Sequence, residues 1–133
     1  MVNTSKDDNY KWVIYGSLII IGIIINKMKE FDFENTKIVL GQTAQENWDL
    51  IDFDSDFIWL HLNSFPSCHV IIEDENPSNE VLQYAANLCK NNTKYKNLRN
   101  LKVCHTKCSN LKKGTDVGSV FYKSKRKVKT IMV

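Results

Sequence analysis

Two apolar runs joined by a short polar turn, within residues 57–72, constrain the fold more than any other stretch of the chain. Both runs are rich in aromatic and β-branched residues, and the turn between them contains Asn, Ser and Pro. Aromatic and β-branched residues favour strands, whereas Asn, Ser and Pro favour turns. The stretch therefore predicts a β-hairpin.

The first strand of this hairpin has two chemically different faces, because successive side chains of a strand point in opposite directions. One face is wholly aliphatic, whereas the other carries Trp59 and His61. A turn centred near Phe65 would place His69 opposite His61. The sequence therefore predicts two imidazoles and an indole close together on one side of the sheet.

Helices are predicted on both sides of the hairpin along the chain. Thr43, followed three residues later by Glu, has the spacing of a capping box and predicts a short helix at about 43–51. Asn76 before Pro77 predicts a longer helix at about 77–92, with Asn as the N-cap and Pro at the first helical position. Apolar residues recur in the longer helix at three- and four-residue spacing, so its apolar face is expected to pack against the sheet.

Further strands are expected outside the central hairpin. Residues 31–40 predict a strand pair or one bent strand, and residues 101–105 alternate as a strand does. Residues 117–122 and 128–133 predict two more strands in a C-terminal hairpin, with the basic segment 123–127 at its tip. The expected fold class is therefore α+β, with a mixed, mostly antiparallel sheet.

Residues 1–30 differ in composition from the rest and are expected to form an extension outside the domain at 31–133. Their apolar run 12–25 has no charge, and six of its last eight residues are Ile. As a helix the run would span about 21 Å at about 1.5 Å per residue, short of a hydrocarbon core of ~30 Å.

One interpretation of this run is a single-pass membrane anchor with the domain in the cytoplasm, since lysines follow the run. The other interpretations are a buried helix or strand, and an upstream extension with true initiation at Met28. In both of those cases the chain is expected to be a soluble cytoplasmic protein.

The charges are divided between the two halves of the domain. Residues 30–80 contain twelve acidic residues and one lysine, whereas residues 90–133 contain thirteen lysines or arginines and one aspartate. An excess of this size predicts a surface that binds a polyanion, either nucleic acid or anionic lipid. The alternative is that the two halves neutralise each other in the folded domain.

The cysteine and histidine residues suggest two functions other than polyanion binding, namely catalysis and metal binding. Cys68 and His69 resemble a nucleophile and a base, but adjacent residues on a strand point to opposite faces, so the chain is not expected to be an enzyme. A metal would need ligands from the set His61, His69, Cys104, His105 and Cys108. The cysteine spacing in that set differs from most zinc knuckles, so no metal or other cofactor is expected.

Short motifs in a fixed order give residues 31–133 a resemblance to a known family. The matching residues are Gly41, Glu46, Asn47, Asp49, Leu50, Ile58, Trp59, His61, Ser67, His69, Val70, Pro77, Val81, Leu82, Ala86, Val103, Thr106, Ser109, Asn110, Leu111, Lys112, Lys113, Val117 and Gly118. Their order and spacing resemble the NFACT-R domain, the RNA-binding module of NFACT proteins, and in particular its eukaryotic stand-alone branch, in which a coiled coil follows. Two positions depart from the family pattern: Gln42 replaces a frequent Arg, and Pro66 replaces a usual Gly or Ser.

The resemblance implies an α+β fold that binds structured RNA, either tRNA or ribosomal RNA, in the processing of stalled ribosomes. The alternative is a membrane-anchored protein that binds nucleic acid or a partner without a ribosomal role. No base-reading pattern is present, so backbone and shape recognition is expected.

The candidate RNA-binding residues combine the basic charge with the aromatic and imidazole groups. They are Lys112, Lys113, Lys125, Arg126, Lys127, Asn110, His61, His69 and Trp59. The cationic side chains would contact phosphates, and the imidazoles would donate to a phosphate or a 2′-hydroxyl. Trp59 would either stack on a base or pack in the core, where the helix at 77–92 is expected to cover the hairpin.

Overall fold

The computed structural model describes residues 28–133 of the chain. A six-stranded sheet forms the centre, with strand order β1-β2-β4-β3-β5-β8, and a separate two-stranded hairpin pairs β6 with β7. The elements are β1 (Lys29–Phe33), β2 (Thr36–Leu40), α1 (Ala44–Leu50), β3 (Ile58–Leu62), β4 (Val70–Ile72), α2 (Asn79–Asn91), β5 (Lys102–Lys107), β6 (Leu111–Lys113), β7 (Val120–Tyr122) and β8 (Lys129–Met132). Every strand pairing among these residues is antiparallel, so the predicted α+β class is confirmed.

The central hairpin of β3 and β4 has the predicted register. Leu60 lies opposite Val70 and Trp59 lies opposite Ile71, which places the centre of the turn at Phe65. Because the Asn-Ser-Phe-Pro-Ser turn sets this register, the imidazoles of His61 in β3 and of His69, just before β4, lie on the same face with their centroids 5.3 Å apart. The predicted apposition of the two histidines on the Trp59 face is therefore confirmed.

The first two strands form a hairpin rather than one bent strand. Their turn residues Glu34 and Asn35 have φ values of 50° and 61°. Two consecutive positive φ values are typical of the type I′ turn, whose twist matches that of the paired strands. The local chemistry of Asn35 favours this conformation, since Asn tolerates the left-handed region better than most residues.

Both helices are present, and one N-cap prediction is wrong. The Thr43 hydroxyl accepts a hydrogen bond from the Glu46 N–H at 3.1 Å, as predicted for α1. In α2 the N-cap is Ser78 rather than Asn76, because the Ser78 hydroxyl accepts from the Val81 N–H at 3.2 Å. Pro77 therefore precedes the cap, and the helix is slightly shorter than the predicted 77–92.

The two faces of the sheet carry separate cores. The face covered by α2 is almost wholly aliphatic, and its buried residues are Ile38, Leu40, Ile58, Leu60, Leu62, Val70, Ile72, Val81, Ala85, Ala86, Cys89, Leu101 and Val103. We call it the helix face. The opposite face contains Val39, Leu50, Trp59, Ile71, Cys104, Cys108 and Leu111, with Tyr122 and other residues packed against them. We call it the ring face.

The prediction that the last two strands pair with each other as a C-terminal hairpin is wrong. Both predicted segments contain a strand, but β7 pairs with β6, whereas β8 pairs with β5 at the edge of the main sheet. The buried Asn110 explains the change of direction, since its side chain holds both the N–H and the carbonyl of Ser124 at 2.9 Å. The chain then passes through a 3₁₀ turn at Lys125–Lys127 before β8.

The extension predicted at residues 1–30 falls almost entirely outside the described residues. The apolar run 12–25, interpreted as a membrane anchor, lies wholly outside them. Within residues 28–133, no helix has the length and apolar character needed to cross a membrane.

Candidate nucleic-acid interface

A cationic cavity lies between β5 and the segment that leads into β8. Its volume is about 480 Å³. The lining residues are Thr106, Lys107, Ser109, Asn110, Lys123, Ser124, Arg126, Lys127 and Lys129. Five of these nine side chains are cationic and none is acidic, so the cavity concentrates positive potential. We call this cavity the basic groove.

The wall of the basic groove is held by Asn110, which was predicted to contact RNA. Its side chain is 6% exposed, and its amide donates to the Thr106 hydroxyl at 3.1 Å as well as binding the Ser124 backbone. The Thr106 hydroxyl in turn donates to the Lys127 carbonyl at 3.1 Å. Asn110 therefore positions the cationic segment, and its polar atoms are already used within the fold.

Most cations of the groove have no carboxylate partner among residues 28–133. Lys107 lies 3.8 Å from Asp56 in an exposed ion pair. The side chains of Lys123, Arg126 and Lys127 form no ion pair in the part of the chain that the structure describes. These side chains are therefore available to an anionic partner.

The structure separates the three cations of the predicted hairpin tip. Arg126 and Lys127 line the basic groove, whereas Lys125 does not. All three are exposed on the 3₁₀ turn that precedes β8. The segment therefore supplies cations to a concave surface rather than to a projecting tip.

The adjacent lysines of β6 have different environments. The Lys113 ammonium lies 2.7 Å from a carboxylate oxygen of Asp52 and 5.7 Å from the centroid of the Trp48 ring. Lys112 is exposed and lies opposite Phe121 of β7. Lys112 is therefore available to a phosphate, while Lys113 is already paired within the fold.

Phe121 is an exposed aromatic residue that the sequence interpretation missed. It is 58% exposed and shares the outer face of the small hairpin with Lys112. Base stacking on an exposed aromatic ring beside a cation is a common way of binding single-stranded nucleic acid. The signal was the alternation of residues 120–122, which places the Phe on the face opposite its two neighbours.

Trp59 is a core residue and offers no face on which a base could stack. It is 1% exposed, and its ring contacts His61, His69 and Tyr122 at centroid distances of 5.7, 5.3 and 5.9 Å. The helix at 77–92 was expected to cover Trp59, and this reason is wrong, because α2 covers the helix face on the other side of the sheet. The side chains that bury Trp59 belong to the ring face, among them Tyr122 of the small hairpin.

The two histidines beside Trp59 are neutral hydrogen-bond acceptors rather than cationic donors. Burial and then the neighbouring His61 lower the pKa of His69 to about 3, and burial also lowers the pKa of His61. Their Nδ1 atoms lie 3.2 Å from the Asn47 carbonyl and 2.6 Å from the Leu62 carbonyl. Since a carbonyl only accepts, each Nδ1 carries the proton and each Nε2 keeps its lone pair.

The residues considered for catalysis and for metal binding do not have the arrangement that either chemistry needs. A hydrogen bond with Cys89 and burial raise the pKa of the Cys68 thiol, which disfavours the nucleophilic thiolate. His105 lies opposite Leu60 in the sheet and therefore on the face opposite that of His61. Among residues 28–133, no three metal-ligating side chains are close enough to hold an ion.

An antiparallel α+β domain with a cationic groove and an exposed aromatic residue has the features of a nucleic-acid-binding module. Residues 27–125 match the model of the NFACT protein RNA binding domain. The chain belongs to this family, and it is therefore an RNA-binding domain by descent. The resemblance read from the sequence motifs is confirmed.

The chain is also similar to curated proteins and to a solved structure. It is 32% identical over 107 residues to coiled-coil domain-containing protein 25 of Danio rerio and 33% identical over 106 residues to that of Bos taurus. Each match covers 72% of this chain and 51% of the relative, so the chain matches about half the length of these proteins. The structure of the C-terminal of the fibronectin/fibrinogen-binding protein from Streptococcus suis matches with a TM-score of 0.74 and 25% identity, covering 84% of this chain and 46% of that one.

Proposed function

We propose that this protein binds structured RNA, either tRNA or ribosomal RNA, through its sugar-phosphate backbone and shape. The observation that carries the proposal is the basic groove, a cavity of about 480 Å³ with five cationic side chains and no acidic one in its lining. Lys112 and Phe121 provide a second contact on the small hairpin. Together they provide phosphate contacts and one stacking surface.

The type of contact explains why shape rather than base sequence would be recognised. Lysine and arginine contacts to phosphates carry no sequence information. Double-stranded RNA has a deep, narrow major groove that side chains do not read, so proteins recognise it by shape and by backbone and 2′-hydroxyl contacts. The groove offers cations for such contacts, and its exposed cationic side chains are long enough to follow an irregular backbone.

The setting we propose is the processing of stalled ribosomes, as the family resemblance implies. In this proposal the protein is a binding module without catalytic activity of its own. The raised pKa of the Cys68 thiol supports this view, because the groups that the sequence offered for nucleophilic chemistry are not activated.

A salt titration of a charge-matched pair of variants tests the proposal. The triple variant Lys123→Ala, Arg126→Ala, Lys127→Ala removes three cations of the groove, and Lys94→Ala, Lys96→Ala, Arg99→Ala removes three exposed cations from the loop after α2. Binding of the full chain to tRNA is measured at several salt concentrations. We expect the groove variant to flatten the slope of log K against log salt by about two to three, since each phosphate contact contributes roughly 0.7–0.9.

The loop variant serves as the control for net charge. It should bind tRNA more tightly than the groove variant and retain most of the wild-type salt slope. Equal weakening by both variants would show that binding depends on net charge and not on the groove. Wild-type affinity in the groove variant would refute the proposed site.

A second candidate is a membrane-anchored protein that binds nucleic acid without a ribosomal role. The uninterrupted apolar run 12–25 favours it. In this case the full chain should sediment with membranes and resist extraction by alkaline carbonate. Recovery of the full chain in the carbonate supernatant would refute the anchor and leave the RNA-binding proposal intact.

A further inference from the structure

A second cavity of about 320 Å³ opens on the ring face, beside the basic groove. Its lining residues are Trp59, His61, Leu62, Asn63, His69, Gly118, Ser119, Val120 and Tyr122. The volume is at the lower end of the roughly 300–1,000 Å³ found for small-molecule pockets. We call it the ring pocket, because four of its lining residues carry aromatic or imidazole rings.

The Trp59 and His61 rings are stacked at 7°, and the other contacting ring pairs of the pocket meet near right angles. The His69 ring lies at 88° to the Trp59 ring and at 82° to the His61 ring, with centroid distances of 5.3 Å in both cases. Tyr122 meets Trp59 at 74°. Trp59 and His69 are buried, so the half-buried rings of His61 and Tyr122 are the ones that a planar aromatic ligand would contact.

The hydrogen-bonding groups of the pocket are unusual for a buried ring cluster. Each imidazole donates its Nδ1 proton to a backbone carbonyl, so that the Nε2 atoms of His61 and His69 are acceptors. Hydrogen bonds of the two rings run through Nδ1 among residues 28–133, and the Ser67 backbone also lies close to the His61 ring. A ligand with an N–H donor would therefore satisfy acceptors that the described fold leaves open.

Trp59, which belongs to the same lining, carries an unpaired donor. Its indole Nε1 is buried and has no hydrogen-bond partner in the described part of the chain. Unpaired buried polar groups are rare in folded proteins, so each one calls for an explanation. Because the indole Nε1 is closed to solvent, the groups open to a ligand are the imidazole acceptors, which match the exocyclic amino group of a nucleobase.

The ring pocket and the basic groove are lined by consecutive residues of the chain. Tyr122 lines the pocket, and the next residue, Lys123, lines the groove. A nucleic-acid strand with its phosphates in the groove would therefore have its bases within reach of the pocket. Sequence-tolerant RNA recognition commonly uses such splayed bases from loops, bulges and ends.

We propose that the ring pocket binds one unstacked nucleobase with an exocyclic amino group, supplied by the RNA in the basic groove. The amino group donates to the imidazole acceptors, and the base packs against the half-buried rings of His61 and Tyr122. This inference rests on the proposed function. It adds a preference for adenine, cytosine or guanine over bases without an amino group at one unpaired position.

The test compares two RNA hairpins that differ by the amino group alone. One has a single-stranded loop of adenosines, and the other has purine riboside at the same loop positions. We expect the full chain to bind the adenosine hairpin about fivefold more tightly, the usual effect of one net hydrogen bond. The variant His61→Phe keeps a ring beside Trp59 but removes one acceptor, and it should reduce the ratio of the two affinities towards one.

The groove variant Lys123→Ala, Arg126→Ala, Lys127→Ala separates this inference from the proposed function. It should weaken the binding of both hairpins and keep their affinity ratio. A wild-type ratio of one, with weakening by the groove variant, would overturn the ring-pocket proposal and leave RNA binding by the groove intact. Failure of the wild-type chain to bind either hairpin or tRNA would overturn both.

A measurement on the wild-type chain covers the case in which His61→Phe does not fold. Two-bond ¹H–¹⁵N spectra report whether each imidazole Nε2 accepts a hydrogen bond. We expect the Nε2 signals of His61 and His69 to shift on addition of the adenosine hairpin and not on addition of the purine riboside hairpin. Identical spectra with the two hairpins would overturn the proposal.

Discussion

The two faces of the main sheet use the same strands but contain different chemistry. On the helix face, aliphatic side chains such as Leu60 pack against α2. On the ring face, Trp59 and His69 are buried with polar atoms that are only partly paired. Successive side chains of β3 point to opposite faces of the sheet, so Trp59 and Leu60 belong to different cores. The helix face stabilises the domain, whereas the ring face combines burial with groups that a ligand can use.

The largest expected effect comes from removing a side chain on the helix face. Leu60 is completely buried, so Leu60→Ala leaves a cavity beneath α2. We expect the free energy of unfolding to fall by about 2–5 kcal/mol. Chemical denaturation of the full chain measures the change, and Leu98→Ala, at an exposed leucine, serves as the control. A loss below about 1 kcal/mol for Leu60→Ala would contradict the packing described for this face.

The second-largest expected effect is a loss of stability at acidic pH, which comes from His69 on the ring face. His69 has its pKa lowered to about 3 in the folded state by burial and by the adjacent His61. In the unfolded chain it is protonated near pH 6.5, so between about pH 6.5 and pH 3 the unfolded state binds more protons. Stability is therefore complete above pH 6.5 and is lost as the pH falls. We expect a loss of about 3 kcal/mol from this residue between pH 7 and pH 4.

Two variants assign the acid sensitivity to the ring face. His69→Gln should flatten the dependence of unfolding free energy on pH in this range. His105 lies on the opposite face and is less buried, so the variant His105→Gln should retain most of the pH dependence of the unfolding free energy. If both variants show the wild-type acid profile, the sensitivity belongs to other groups and not to His69.

The smallest expected effect on stability comes from the outer surface of the small hairpin. Phe121 is 58% exposed, so Phe121→Ala should change the unfolding free energy by less than about 0.5 kcal/mol. If bases stack on this ring, RNA affinity should fall by about 1–3 kcal/mol. Leu98→Ala again serves as the control, since it removes a similarly exposed apolar side chain. Unchanged affinity for tRNA in Phe121→Ala would remove the stacking contact from the proposed interface.

Local patterns in the sequence were enough to predict the central hairpin and its register. The apolar runs and the turn residues lie within residues 57–72, so the pairing of His61 with His69 follows from the position of the turn. The hydroxyl cap of α1 is also local and was predicted correctly. The cap of α2 was not, because Asn76 and Ser78 are both good N-caps and sequence alone does not choose between them.

The pairing of the last strand depends on groups far apart in the chain. No local pattern indicates that β8 pairs with β5, or that Asn110 holds the backbone of Ser124. The pairing of Lys113 with Asp52 likewise joins residues from the basic and acidic halves. The cationic cluster was therefore predictable as a composition, while the division between groove-lining and paired lysines was not.

The order of strands in the main sheet has a consequence for the speed of folding. β5 pairs with β3, although β4, the helix α2 and the connecting loops lie between them in sequence, from Leu62 to Val103. Closing such a loop costs conformational entropy before its contacts form. Domains dominated by distant pairings fold slowly, in about milliseconds to seconds. A chain emerging from synthesis therefore holds β3 without its second neighbour until β5 is complete, and this exposed strand edge is the point most open to aggregation.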